Sequence, residues 1–143
     1  MKQKLMGGLM AAALLSCSVG QAAWAIPDSL LNLQHAGPVT YLSGGVGADE
    51  SAAIKAQMPN YPVVLEFAGT TQAGNEYLAD VPVRITDMHG KTVLETDTRG
   101  PFLLVALPPG RYSVAATYQG KTVHRKVNVA LHGHVRELFL WQM

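Results

Sequence analysis

From Tyr61 onward, apolar residues recur at alternate positions in short runs, and each run is bounded by Gly, Pro, Asn or Asp. A period of two sends successive side chains to opposite faces of a strand, so this stretch must fold as sheets with one buried face. Val63–Ala68 reads as the first strand. Val81, Val83 and Ile85 then alternate with Pro82, Arg84 and Thr86, and Met88-His89-Gly90 turns the chain into Thr92–Thr98 as a hairpin. Phe102–Leu107 is continuously apolar, the pattern of a strand covered on both faces, and Pro108-Pro109-Gly110 ends it. Tyr112, Val114, Ala116 and Tyr118 resume the alternation, and Gln119-Gly120 turns. In Thr122–Ala130, Val123, Val127 and Val129 alternate with His124, Lys126 and Asn128, and Val135–Trp141 is the last strand. With no βαβ unit among them, these strands predict an all-β fold: an antiparallel β-sandwich of about seven strands over residues 60–143.

Ahead of the sandwich, residues 26–59 read as a lead-in segment. Its glycine-rich turn, Ser43-Gly44-Gly45-Val46-Gly47-Ala48-Asp49-Glu50, runs into Ser51–Met58, which Pro59 brings to a stop. Asp49 is placed to cap one short N-terminal helix, Glu50 lies in its first turn, and Ala52, Ala53 and Ala56 favour it. Ile54 and Met58, four apart, form its expected buried stripe.

Residues 1–25 have the three parts of a secretory signal peptide: the basic MKQK, an apolar stretch from Leu5 to Val19, and the A-x-A site Ala23-Trp24-Ala25. The apolar stretch is 15 residues long, short of the roughly 20 that span a bilayer core, so no integral membrane span is expected. Cleavage after Ala25 leaves 118 residues with nine Lys and Arg against ten Asp and Glu, a periplasmic or secreted domain of net charge −1. That balance speaks against nucleic acid as a partner. Leu14-Leu15-Ser16-Cys17 is a second possible processing site, similar to a lipobox, which would make the chain an outer-membrane lipoprotein acylated on Cys17. Cys17 is the chain's single cysteine, so cleavage after Ala25 removes disulfides and thiolate chemistry together.

Leu78-Ala79-Asp80-Val81-Pro82-Val83, Asp87-Met88-His89-Gly90, Gly100-Pro101 and Leu107-Pro108-Pro109-Gly110-Arg111-Tyr112-Ser113-Val114 occur in the order usual for transthyretin-like domains. The chain resembles the carboxypeptidase regulatory-like group of that fold over roughly Asn60 to Trp141. The resemblance implies the sandwich and is silent on function. Within it, Pro108, Pro109 and Gly110 force a turn, and Tyr112 is placed to pack its ring inside while its hydroxyl bonds loop backbone. The enzymatic relatives of the fold are disfavoured: the chain ends Phe139-Leu140-Trp141-Gln142-Met143, without the Tyr-Arg-Gly-Ser tail of the purine-pathway hydrolases, and lacks the Tyr and His constellation of intradiol dioxygenases.

Three candidate sites remain. The Ser43, Gly44, Gly45, Gly47, Asp49, Glu50 loop offers backbone N–H groups to a ligand or partner, although its two carboxylates oppose an anion. His132 and His134, two apart, offer two corners of a metal site, with His124 as a third ligand across an expected hairpin. Trp141 alternates with Phe139 and Val135 and reads as core. Carboxylates such as Glu95 with Asp97, and Asp80 with Asp87, read as solvated strand faces, and no Ser lies in an activated-nucleophile motif. The expectation is a non-enzymatic binding module without a cofactor, its partner an envelope protein or a small ligand. A metal-binding protein or metal-dependent enzyme using His132 and His134, and a structural outer-membrane lipoprotein, are the alternatives.

Overall fold

The computed structural model describes residues 31–143, so the expected signal peptide and Cys17 lie outside the described residues. The chain forms β1 (Gln34–Ala36), β2 (Val39–Gly44), α1 (Ala48–Gln57), β3 (Val63–Thr71), β4 (Gly74–Tyr77), β5 (Pro82–Asp87), β6 (Thr92–Asp97), β7 (Phe102–Val105), β8 (Gly110–Tyr118), β9 (Lys121–Val129) and β10 (Val135–Gln142). These build two sheets. One has the order β1-β2-β7-β3-β10 with β4 added to β3, and the other the order β6-β5-β8-β9. The all-β sandwich with one short helix is therefore what the chain forms. No helix of the described residues is long and apolar enough to cross a membrane.

Alternation explains how the layers meet. Val63, Leu65 and Phe67 from β3, Leu103 and Val105 from β7, and Phe139 and Trp141 from β10 face Val83, Ile85, Leu94, Val114, Ala116, Val127 and Val129 of the other sheet. Phe67, Phe139 and Trp141 cluster at the centre, with ring centroids 5.3 to 6.4 Å apart. Each aromatic pair of this kind adds about 0.5–1.5 kcal/mol beyond its area. The Trp141 indole N–H donates to the Lys121 carbonyl at 2.9 Å, which satisfies its one polar atom. The continuously apolar β7 is buried throughout because it has two cores to serve. Leu103 and Val105 point between the sheets, while Phe102 and Leu104 join Leu42, Ile54 and Val64 beneath α1. Ile54 is fully buried and Met58 packs beside it, as the helical spacing requires.

Several expectations are corrected. The sandwich is not wholly antiparallel: β10 pairs with β3 in parallel, Val135 opposite Val63 through Gln142 opposite Thr70. Alternation reports which face a residue takes and carries no information on strand direction. The described residues form ten strands rather than about seven. The lead-in contributes two of the extra ones, since β2 pairs with β7 from Tyr41–Val105 to Gly44–Phe102. Residue 60 therefore does not divide the fold. The third, β4, is exposed along its whole length, so no apolar pattern betrays it. Pro82 is the first residue of β5, an inner strand between β6 and β8, and that is a position where a missing N–H is tolerated.

Candidate functional site

The glycine loop is closed on itself. Gly45 N–H and Val46 N–H donate to Glu50 Oε1 at 2.8 and 3.2 Å, so the donors that would face a ligand are occupied by the chain's own carboxylate. Gly45 has φ +108°, and a Cβ there would come within 2.5 Å of the Phe102 ring. A Cβ on Gly100 would come within 2.4 Å of the Gly44 carbonyl oxygen, so the two segments meet through their backbones. Ser43 Oγ accepts from the Arg99 N–H at 2.8 Å across the same contact. Asp49 is not the helix cap. Gly47 holds that position with φ +86° and no side-chain bond, and Glu50 reaches back over the first turn in the manner of a capping box. The loop's chemistry is structural: it seats α1 on the sheet and ties Gly100-Pro101 to it.

The Leu107–Tyr112 segment carries the chain from the first sheet to the second. Gly110 opens β8, and the Tyr112 hydroxyl donates to the Pro108 carbonyl at 2.7 Å with its ring in the core. Burial, and secondarily the Asp87 carboxylate, hold the Tyr112 hydroxyl above its ordinary pKa. Asp87 itself closes the β5–β6 turn, its Oδ1 accepting from His89 N–H at 2.8 Å and Lys91 N–H at 3.0 Å. The bond from the Lys91 backbone is the main reason its carboxyl lies below the ordinary value.

The three histidines do not form one cluster. β9 and β10 belong to different sheets, so the expected hairpin is a crossover, and His124 pairs with Ala115 of β8 instead. His132 has φ +65°, so the segment is not extended there, as a one-faced pair of residues two apart would require. Among the described residues no three His, Cys, Asp or Glu side chains come together to hold a metal. His132 and His134 nonetheless line one cleft with Asn60, Leu107 and Pro109 at the end of the sandwich.

Sequence reasoning passed over the outer face of the second sheet. Its inner strand β8 turns Arg111 outward at the Gly110 end and, after it, only short side chains, Ser113, Ala115 and Thr117. Longer ones flank them, Arg84 on β5 and His124 and Lys126 on β9, placed there by the registers Arg84–Ala115–His124 and Thr86–Ser113–Lys126. The face is thus a trough along β8. At its Gly110 end it opens into a cleft of about 580 Å³ lined by Thr86, Met88, Arg111, Ser113, Lys126 and Asn128, among others. Neither Arg111 nor Lys126 forms an ion pair among the described residues, whereas Arg84 is held by Glu95 at 2.8 Å. Asp87 also lines the cleft, and its carboxylate is engaged by its own turn. The outward positions of β8 and β9 were legible as polar, but their small-against-large pairing needs the register. Compared with protein-family models the chain matches none, and compared with curated proteins it matches none either.

Proposed function

We propose that this chain is an exported, non-enzymatic β-sandwich of the transthyretin-like kind that binds a partner protein of the cell envelope, seating an acidic group of that partner in the Arg111–Lys126 cleft. The observation that carries the reading is the cleft itself. Two cations without carboxylate partners among the described residues stand beside hydroxyl and amide groups of Thr86, Ser113 and Asn128, and the cleft's one carboxylate, Asp87, is held by backbone N–H groups of its turn. Such a site offers an incoming carboxylate a charge-assisted bond from Arg111 and several neutral donors. Three carboxylates elsewhere are tied to the fold: Glu50 to its loop, Glu95 to Arg84 and Glu66 to Arg136. The signal-like residues 1–25 support export, and the Tyr112–Pro108 bond inside Leu107–Tyr112 supports the fold resemblance.

The test is in-cell crosslinking of a tagged protein, with Arg111→Glu and Lys126→Glu compared against Asp49→Asn in the glycine loop. Loss of one defined partner in both charge-reversed variants, and its retention in D49N, is the expected result. A partner that survives both reversals overturns the assignment of the cleft.

A further inference from the structure

The outer face of the second sheet carries charge of opposite sign at its two ends. Arg111 and Lys126 stand at the Gly110 end. At the other end stands Asp97, the last residue of β6, paired in register with Pro82 and exposed like it. Among the described residues the Asp97 carboxylate forms no ion pair. Between the ends charge is cancelled, since Arg84 and Glu95 hold each other at 2.8 Å across β5 and β6. The strip of β8 that connects them carries only Ser113, Ala115 and Thr117, and the Thr117 hydroxyl shares a hydrogen bond of 2.8 Å with that of Thr122.

The two ends belong to one surface. Asp97 lies in a second cleft, of about 460 Å³, lined by Pro82, Arg84, Glu95, Ala115 and Thr117 among others. Ala115 is the next outward residue of β8 after Ser113 of the first cleft, so the clefts follow one another along the trough. Arg111 and Thr117 are six residues apart on β8, about 20 Å at the rise of a strand. The walls of the trough, β5 and β9, are two strand spacings apart, about 9–10 Å between backbones. The side chains of Arg84, His124 and Lys126 narrow it further. An α-helix with its side chains is about 10–12 Å across and does not enter, whereas a single extended chain does.

We infer that the trough seats an extended segment of the partner, about six or seven residues long at the rise of a strand, with an acidic residue in the Arg111–Lys126 cleft and a lysine or arginine at its other end against Asp97. The inference rests on the cleft assignment above and adds the conformation and the charge order of what binds. Complementary charge at both ends sets the direction of the segment and rejects others. A segment acidic at both ends brings a like charge to Asp97, and one basic at both ends brings like charge to Arg111 and Lys126. Pro82 has no long side chain, so a basic side chain leaving the trough beside Thr117 crosses β5 there to reach the carboxylate.

The experiment is selection of a phage-displayed library of random heptapeptides on the purified protein, on Asp97→Lys, and on a double variant carrying Arg111→Glu and Lys126→Glu, with thermal melts to show that each variant folds. On the unaltered protein, peptides with an acidic and a basic residue about five or six positions apart, the spacing set by the strand rise, are expected to be enriched several-fold over the unselected library. Peptides selected on D97K should keep the acidic residue and lose the basic one. A synthetic copy of the peptide selected on the unaltered protein should bind D97K about fivefold more weakly, the scale of an exposed ion pair. The double variant should lose the acidic preference. Enrichment of the acidic residue without the basic one, or a basic preference that survives D97K, overturns this inference and leaves the cleft assignment standing. An acidic preference that survives the double reversal, or a selection that enriches no peptide, overturns both.

Discussion

Glu50 is the residue on which the N-terminal third of the described chain turns. One oxygen accepts two backbone N–H groups of the glycine loop, and removing it strands both donors. Glu50→Ala is expected to lower unfolding stability by about 1–2 kcal/mol, as the loss of a helix cap does, in urea or thermal melts. Gly45→Ala should be worse than E50A, because its Cβ meets a buried ring from a left-handed backbone. Tyr112 makes a prediction in pH. Its hydroxyl stays protonated in the fold past its usual pKa, so its contribution to stability is complete below the ordinary value of 10.0 and is lost as pH rises through the raised folded value. Tyr112→Phe should cost about 1 kcal/mol at neutral pH for the missing bond, and should flatten the alkaline decline. Asp87 works in the opposite direction. Its lowered pKa stabilises the fold above the ordinary value of 3.8, and that part is lost as pH falls through the folded value. Asp87→Asn should flatten the acid limb of a melting-temperature profile.

At the scale of elements, the strands from Val63 onward were readable because half-buried strands write their burial into alternate residues. β7 was readable for the reverse reason, since a core on each side leaves no polar position. β2 hid behind Gly37-Pro38 and the glycine loop, although Val39-Thr40-Tyr41-Leu42 has strand composition. The cap passed to Glu50 because the glycines ahead of the helix let the chain fold back within reach of its third residue. Of the candidate site residues, Tyr112 fell where its spacing put it. The histidine reading failed at His124, because a hairpin and a crossover look alike in sequence. One break in alternation was visible and went unused. β9 places Arg125 at a position that faces the core side, between Val123 and Val127, and its guanidinium lies 5.7 Å from the Phe139 ring centroid. A charge turned inward on an edge strand blocks pairing with another chain. Arg125→Val should leave the monomer folded and raise its tendency to associate, measured by light scattering against concentration. For the helix, Ile54→Ala should cost about 2–5 kcal/mol, the range for a fully buried aliphatic side chain.

For the molecule as a whole, both cores share one sheet. The six-stranded sheet packs its inner face on the second sheet and part of its outer face under α1, while Tyr77, Leu138 and Leu140 remain exposed. Among the described residues nothing covers the outer face of the second sheet, and the cleft proposed for the partner lies there. Arg111 and Lys126 are exposed on that face, whereas Tyr112 and Val127 of the same strands turn into the core, so charge reversal at Arg111 or Lys126 tests binding with little demand on the packing. The parallel pair sets the order of events in time. β3 receives β10 along one edge from residues 135–142, more than half the described chain away in sequence, and β7 along the other. Neither Phe139 nor Trp141 reaches the centre until that last pairing closes, and contacts so distant along the chain make for slow folding. A ribosome-bound chain still lacking residues 135–142 therefore holds an incomplete core and remains open to handling as an unfolded polypeptide until that strand has emerged.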